Sequence, residues 1–128
     1  MSYHFTKTVD LTFDKAIESV TEALKENGFG VLTTIDVKST LKNKIDVDFR
    51  PYTILGACNP TFAYQALQSE NKIGAMLPCN VVVQQKDDGR VEVSAVDPVA
   101  SMQAIENPAL GGIAQQVQGL LKATIDKL

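Results

Sequence analysis

The run Asp87-Asp88-Gly89-Arg90 constrains the fold of this chain more than any other feature. It separates Val81-Val82-Val83-Gln84-Gln85 from Val91-Glu92-Val93-Ser94-Ala95-Val96, two stretches rich in β-branched residues. A short polar turn with a glycine between two such runs is a β-hairpin. At least one antiparallel strand pair is therefore built in.

Other strands and helices follow by periodicity. Tyr3 to Val9 alternates, with Tyr3, Phe5, Lys7 and Val9 on one side and His4, Thr6 and Thr8 on the other. That is a half-buried strand. Thr12 fits as an N-cap, and Phe13, Ala16, Ile17, Val20, Ala23 and Leu24 then form one apolar helical face. Asn27-Gly28 ends that helix, glycine being free to turn left-handed. A second strand is expected over 29–37, a short helix over 40–47 behind Ser39, and a third strand over 52–57 with Pro51 at its mouth. Asn59-Pro60 pairs a capping side chain with a proline suited to the first helical turn, and Asn107-Pro108 repeats the signal. Helices are expected from there to about Glu70 and about Lys127, while Asp97-Pro98 closes the fifth strand. The order is β-α-β-(α)-β-(α)-β-β-α. It predicts an α+β domain, with a largely antiparallel five-stranded sheet that is wet on one face and covered by helices on the other.

A chain of 128 residues with 45% apolar content buries enough surface for one core without staples, so one domain over 1–128 is expected. The net charge of −3 lacks the basic patch that phosphate neutralisation needs, which argues against a nucleic-acid partner. Lys38, Lys42 and Lys44 are interleaved with Asp36, Asp46 and Asp48, the pattern of a solvated face. No stretch has the length of a membrane span or the pattern of a signal peptide. The expectation is a cytoplasmic protein with no membrane partner, in which Cys58 and Cys79 are free thiols.

Three segments carry a resemblance. Tyr52-Thr-Ile-Leu-Gly-Ala-Cys-Asn-Pro60, Ile73-Gly-Ala-Met-Leu-Pro-Cys-Asn-Val-Val-Val83 and Val96-Asp97-Pro98 are similar to the domain of unknown function family 302. The similarity spans essentially the whole chain, and the paired Cys-Asn motifs are its most specific part. It implies a TATA-binding-protein-like topology, β-α-β(4)-α, often dimeric. It implies no catalytic residue, and a fold likeness alone does not imply DNA binding.

The repeated Cys-Asn motif also marks the candidate site. Cys58 lies just after a strand and just before a helix start. Amides and dipole at that helix terminus would favour a thiolate, making Cys58 the one candidate nucleophile. The plainer reading is a small buried residue beside a capping Asn59. If the strands 52–57 and 81–85 are antiparallel neighbours, Cys58 and Cys79 share one rim of the sheet; if parallel, they lie at opposite ends. The apolar segment Ile73 to Pro78 is expected over the core or lining a cleft there, with Met76 as an adaptable wall and Tyr52 and Tyr64 as neighbours. The predicted ligand-binding set is Cys58, Asn59, Cys79, Asn80, Met76 and Tyr52. Two thiols make half a zinc site, and the lone His4 lies in a distant strand, so neither a metal nor another cofactor is expected.

The final helix has an apolar face through Leu110, Ile113, Ala114, Val117, Leu120, Leu121, Ile125 and Leu128. Gly112, Gly119 and Ala123 lie nearly opposite, where glycine costs about 1 kcal/mol relative to alanine. They form a candidate homodimer contact. Three function classes result: a non-catalytic small-ligand module, a thiol-dependent enzyme using Cys58, and an interaction or structural domain. The first is favoured, without a catalytic assignment.

Overall fold

Side-chain caps start all five α-helices. The computed structural model describes residues 2–128, in the order β1 (His4–Val9), α1 (Phe13–Glu26), β2 (Gly30–Asp36), α2 (Val37–Ile45), β3 (Tyr52–Cys58), α3 (Pro60–Ser69), a 3-10 turn (Ile73–Met76), β4 (Cys79–Gln85), β5 (Val91–Val96), α4 (Pro98–Ser101) and α5 (Pro108–Asp126). The Thr12 hydroxyl accepts from the Lys15 amide, and Asn59 Oδ1 and Asn107 Oδ1 accept from the amides of Phe62 and Ala109. Each satisfies an amide that the helix itself leaves unpaired. Gly28 takes φ +85° directly after α1, in the left-handed region that glycine adopts without strain.

Two helix starts differ from expectation. α2 begins three residues early because Asp36, not Ser39, caps it; Ser39 supplies the amide that Asp36 Oδ1 accepts. Asp97-Pro98 closes β5 and also starts α4, where Asp97 Oδ1 accepts from Val99 N at 2.9 Å.

The strands form one antiparallel sheet in the order β1-β5-β4-β3-β2. This arrangement is compatible with the TATA-binding-protein-like order, with α2, α3 and α4 as additions. Leu55, Val81 and Ala95 lie side by side across three strands, as do Thr53, Val83 and Val93. All six are buried. α1 and α5 cover this face with Val20, Leu24, Leu121 and Ile125. Full burial of one such leucine contributes roughly 2 kcal/mol. A smaller cluster of Ala66, Ile73 and Leu110 joins α3, the 3-10 turn and α5. The opposite face of the sheet carries Tyr52, Ile54, Asn80, Val82, Gln84, Glu92 and Ser94, the alternate residues of the same strands. Lys42 pairs with Asp46 and Asp48 at the surface, as a solvated helix face would. Among the described residues, no helix is long and apolar enough to cross a membrane.

Candidate functional site

β3 and β4 are antiparallel, with Ala57 opposite Cys79. Cys58 and Cys79 therefore do share one rim of the sheet. Both line a cavity of about 310 Å³ between that rim, α3 and α5. Its walls come from Phe29 and Leu32 at the β2 end, Phe62, Ala63 and Ala66 on α3, Leu77 and Pro78 before β4, and Met102, Ile113, Ala114 and Val117 beyond. The polar residues among these walls are Cys58, Asn59 and Cys79, and none of the walls is a charged residue. Leu32 reaches the cavity because β2 bulges between Val31 and Thr33. A bulge takes one residue out of strict alternation and re-aims its side chain. Leu32 is 67% exposed, so one wall of the cavity faces water.

The structure divides the predicted ligand set. Cys58, Asn59 and Cys79 come together. Asn80 follows Cys79 directly, and strand alternation turns it to the other face of the sheet. There it lines a second concavity of about 350 Å³ with Tyr52, Tyr3 and His4. Tyr52 stands six residues from Cys58 along β3, roughly 20 Å at strand rise. Met76 is 40% exposed and lines neither cavity, because the 3-10 turn buries Ile73 and turns Met76 outward. Tyr64 is exposed on α3 and also lines neither. His4 is on the opposite side of the sheet from the thiols, held by a 2.5 Å hydrogen bond between Nδ1 and Thr6 Oγ1. Among the described residues, no three His, Cys, Asp or Glu side chains converge as metal ligands.

The ionisation of the thiols favours the plainer of the two readings of Cys58. Burial pushes the Cys58 thiol up from its ordinary value, against the downward pull that the alternative, a thiolate at the helix terminus, requires. The reason lies in the first turn of α3. Pro60 has no amide hydrogen, Asn59 Oδ1 accepts from Phe62 N, and the Asn59 carbonyl accepts from Ala63 N. The terminus is largely satisfied before Cys58 can use it. Cys79 is buried, and burial, with Cys58 beside it, pushes its thiol up to about 11. Burial thus disfavours the thiolate, the reactive form, at both positions.

Gly112, Gly119 and Ala123 are exposed on α5, and a Cβ added at either glycine would meet nothing within 4 Å. No packing among the described residues requires those two glycines.

The fold and the site together define a small α+β domain with an apolar cavity at a two-cysteine sheet rim. The chain matches the family model "Domain of unknown function DUF302" over residues 5–128 and belongs to that family. It is similar to the crystal structure of an uncharacterised conserved protein DUF302 from Bacillus stearothermophilus, with 34% identity and a TM-score of 0.91 over 99% of this chain and 98% of that one. No curated protein matches the chain.

Proposed function

We propose that this protein is a non-catalytic binding module that holds a small neutral apolar ligand in the cavity beside Cys58 and Cys79. The cavity itself carries the reading. At about 310 Å³ it falls within the usual size of small-molecule sites, and its walls are apolar except at the thiols and Asn59. A buried carboxylate or ammonium would need a partner charge, and the walls offer none. Neutral thiols suit a contact surface better than a nucleophile.

Ala63 lines the cavity and is only half-buried, so Ala63→Phe fills the space with little disturbance of the core. A neutral fluorescent probe, N-phenyl-1-naphthylamine, should bind the native chain and gain fluorescence. Ala63→Phe should weaken that binding at least about tenfold, equivalent to 1.4 kcal/mol. Equal binding by both proteins places the probe elsewhere and rejects the cavity as its site. Native mass spectrometry of the gently purified protein then reads any retained mass.

The reading includes a homodimer formed through Gly112, Gly119 and Ala123. Sedimentation equilibrium should show a dimer for the native chain and a folded monomer for Gly112→Lys with Gly119→Lys. A dimer that persists in the double variant moves the contact off this stripe. Gly112→Ala with Gly119→Ala should stabilise an isolated monomer by about 1 kcal/mol per site, because each Cβ enters open space.

A further inference from the structure

The uncovered face of the sheet has its own arrangement of side chains. Arg50 lies in the segment between α2 and β3. Its guanidinium carbon sits 4.4 Å from the centre of the Phe49 ring and 5.6 Å from that of Tyr52. Its Nε–H donates to Gln84 Oε1 at 3.0 Å. Two rings and one hydrogen bond thus fix the plane of the guanidinium. The other cations beside this face are already paired: Lys86 with Glu92 at 3.1 Å, and Arg90 with Asp88 at 2.7 Å. Arg50 has no carboxylate partner among the described residues, and its Nη groups make no hydrogen bond within them.

Gln84, the residue that orients Arg50, lines two concavities at once. One, of about 350 Å³, runs over the sheet past Tyr52 and Asn80. The other, of about 520 Å³, contains Arg50 itself and opens toward the hairpin. The Tyr52 hydroxyl and the Asn80 side-chain amide make no hydrogen bond among the described residues. Val82 and Val96 give the first concavity an apolar floor. One end of this surface thus offers a fixed guanidinium fork, and its body offers a flat floor with a hydroxyl and an amide.

We propose that the uncovered sheet face is a second binding site, distinct from the thiol-rim cavity, that takes a small aromatic carboxylate with its oxyanion on Arg50 and its ring over the floor beside Tyr52 and Asn80. A planar guanidinium with free Nη donors matches a carboxylate two bonds at a time. Stacking on aromatic rings leaves those donors at the guanidinium edge, and a preorganised fork loses less entropy on binding. Three carboxylates border the site: Glu92 in the first concavity is held by Lys86, Asp88 beside Arg50 is held by Arg90, and the exposed Asp87 forms no ion pair among the described residues, so it opposes an anion there. The site should therefore be weak and salt-sensitive.

The test is a titration of the ¹⁵N-labelled full-length chain, followed by NMR, with 4-hydroxybenzoate, acetate and inorganic phosphate as probes. Saturable shifts are expected at Arg50 Nε–H and at the side-chain amides of Gln84 and Asn80. 4-Hydroxybenzoate should bind at least tenfold more tightly than acetate or phosphate. Arg50→Lys keeps the charge but loses the fork, and should weaken 4-hydroxybenzoate at least tenfold. Asp87→Asn should tighten it about twofold. Tyr52→Phe, which keeps the ring and the fold, should weaken it a few-fold. Three results overturn the proposal: no saturable shift at these groups by 10 mM probe, equal binding of all three anions, or Arg50→Lys binding like the native chain. Shifts confined to the Cys58 rim overturn it as well, and they leave the neutral-ligand reading of that cavity to its own test.

Discussion

Gly56→Ala should destabilise the protein by about 3 kcal/mol, at the upper end of what overpacking costs. A Cβ at Gly56 would lie 2.2 Å from Thr33 Oγ1 and 2.8 Å from Pro78 Cγ. Contacts that short require something to move. Gly56 pairs with Thr33 on β2 and with Asn80 on β4, so its neighbours are held on both sides. The Thr33 hydroxyl can rotate away or be removed. The Pro78 ring cannot, because it is tied into the entrance of β4. Thr33 is exposed on an edge strand, so Thr33→Ala alone should change stability by less than about 0.5 kcal/mol. Placed on Gly56→Ala, it should restore roughly half of the loss, since Thr33 Cβ itself is at an ordinary 3.5 Å. That recovery is a coupling energy between residues in contact, read from a double-mutant cycle in urea. A Gly56→Ala protein as stable as the native chain would refute this packing of β2, β3 and the Pro78 turn. The same packing brings Cys58 and Cys79 to one rim, two residues beyond Gly56 on β3 and one residue beyond Pro78 on β4.

Much of this architecture is legible in the sequence because local signals and the hydrophobic pattern agree. The hairpin at Asp87–Arg90, the caps at Thr12, Asn59 and Asn107 and the turn at Gly28 all lie where their chemistry requires. Asp97-Pro98 has the same form as the two Asn-Pro helix starts and opens a helix too; its one-turn length hides it behind the strand end. The site was less legible, for geometric reasons. Joining Asn80 to Cys79 ignores the two-residue period of a strand, which sends neighbours to opposite faces. Joining Tyr52 to Cys58 ignores the length of β3. Met76 misleads because an apolar loop can bury one residue and expose another within a single 3-10 turn. The bulge that brings Leu32 to the cavity has no turn residue to announce it. Arg50 gives no signal at all: its role depends on Gln84 reaching it from a strand 34 residues further on.

The Cys79 thiol should remain almost inert in the native protein. With its pKa pushed from an ordinary 9.0 to about 11, its thiolate fraction near neutral pH is roughly 100-fold below that of a free thiol. Burial adds a barrier, because a reagent reaches Cys79 mainly when the structure opens. Iodoacetamide at pH 7.5 should therefore modify the half-exposed Cys58 first. Cys79 should follow at a rate that rises with urea. Mass spectrometry of the two cysteine peptides separates the two. The same group makes stability depend on pH in the alkaline range. The folded pKa lies above the unfolded one, so between pH 9 and 11 the unfolded chain loses its proton first. The contribution is complete below about pH 9 and is lost as pH rises toward 11, at up to about 1.4 kcal/mol per pH unit. Tyrosines and lysines also titrate there, so the measurement is the difference from Cys79→Ala, which should lose less stability over the same interval. Parallel curves for the two proteins would mean that Cys79 is solvated in the native state, and so would fast native alkylation of Cys79. Either result would return the thiol pair to consideration as reactive groups and weaken the case for a neutral apolar site. Slow alkylation with a flattened Cys79→Ala curve leaves the rim as the dry, uncharged wall that an apolar ligand needs.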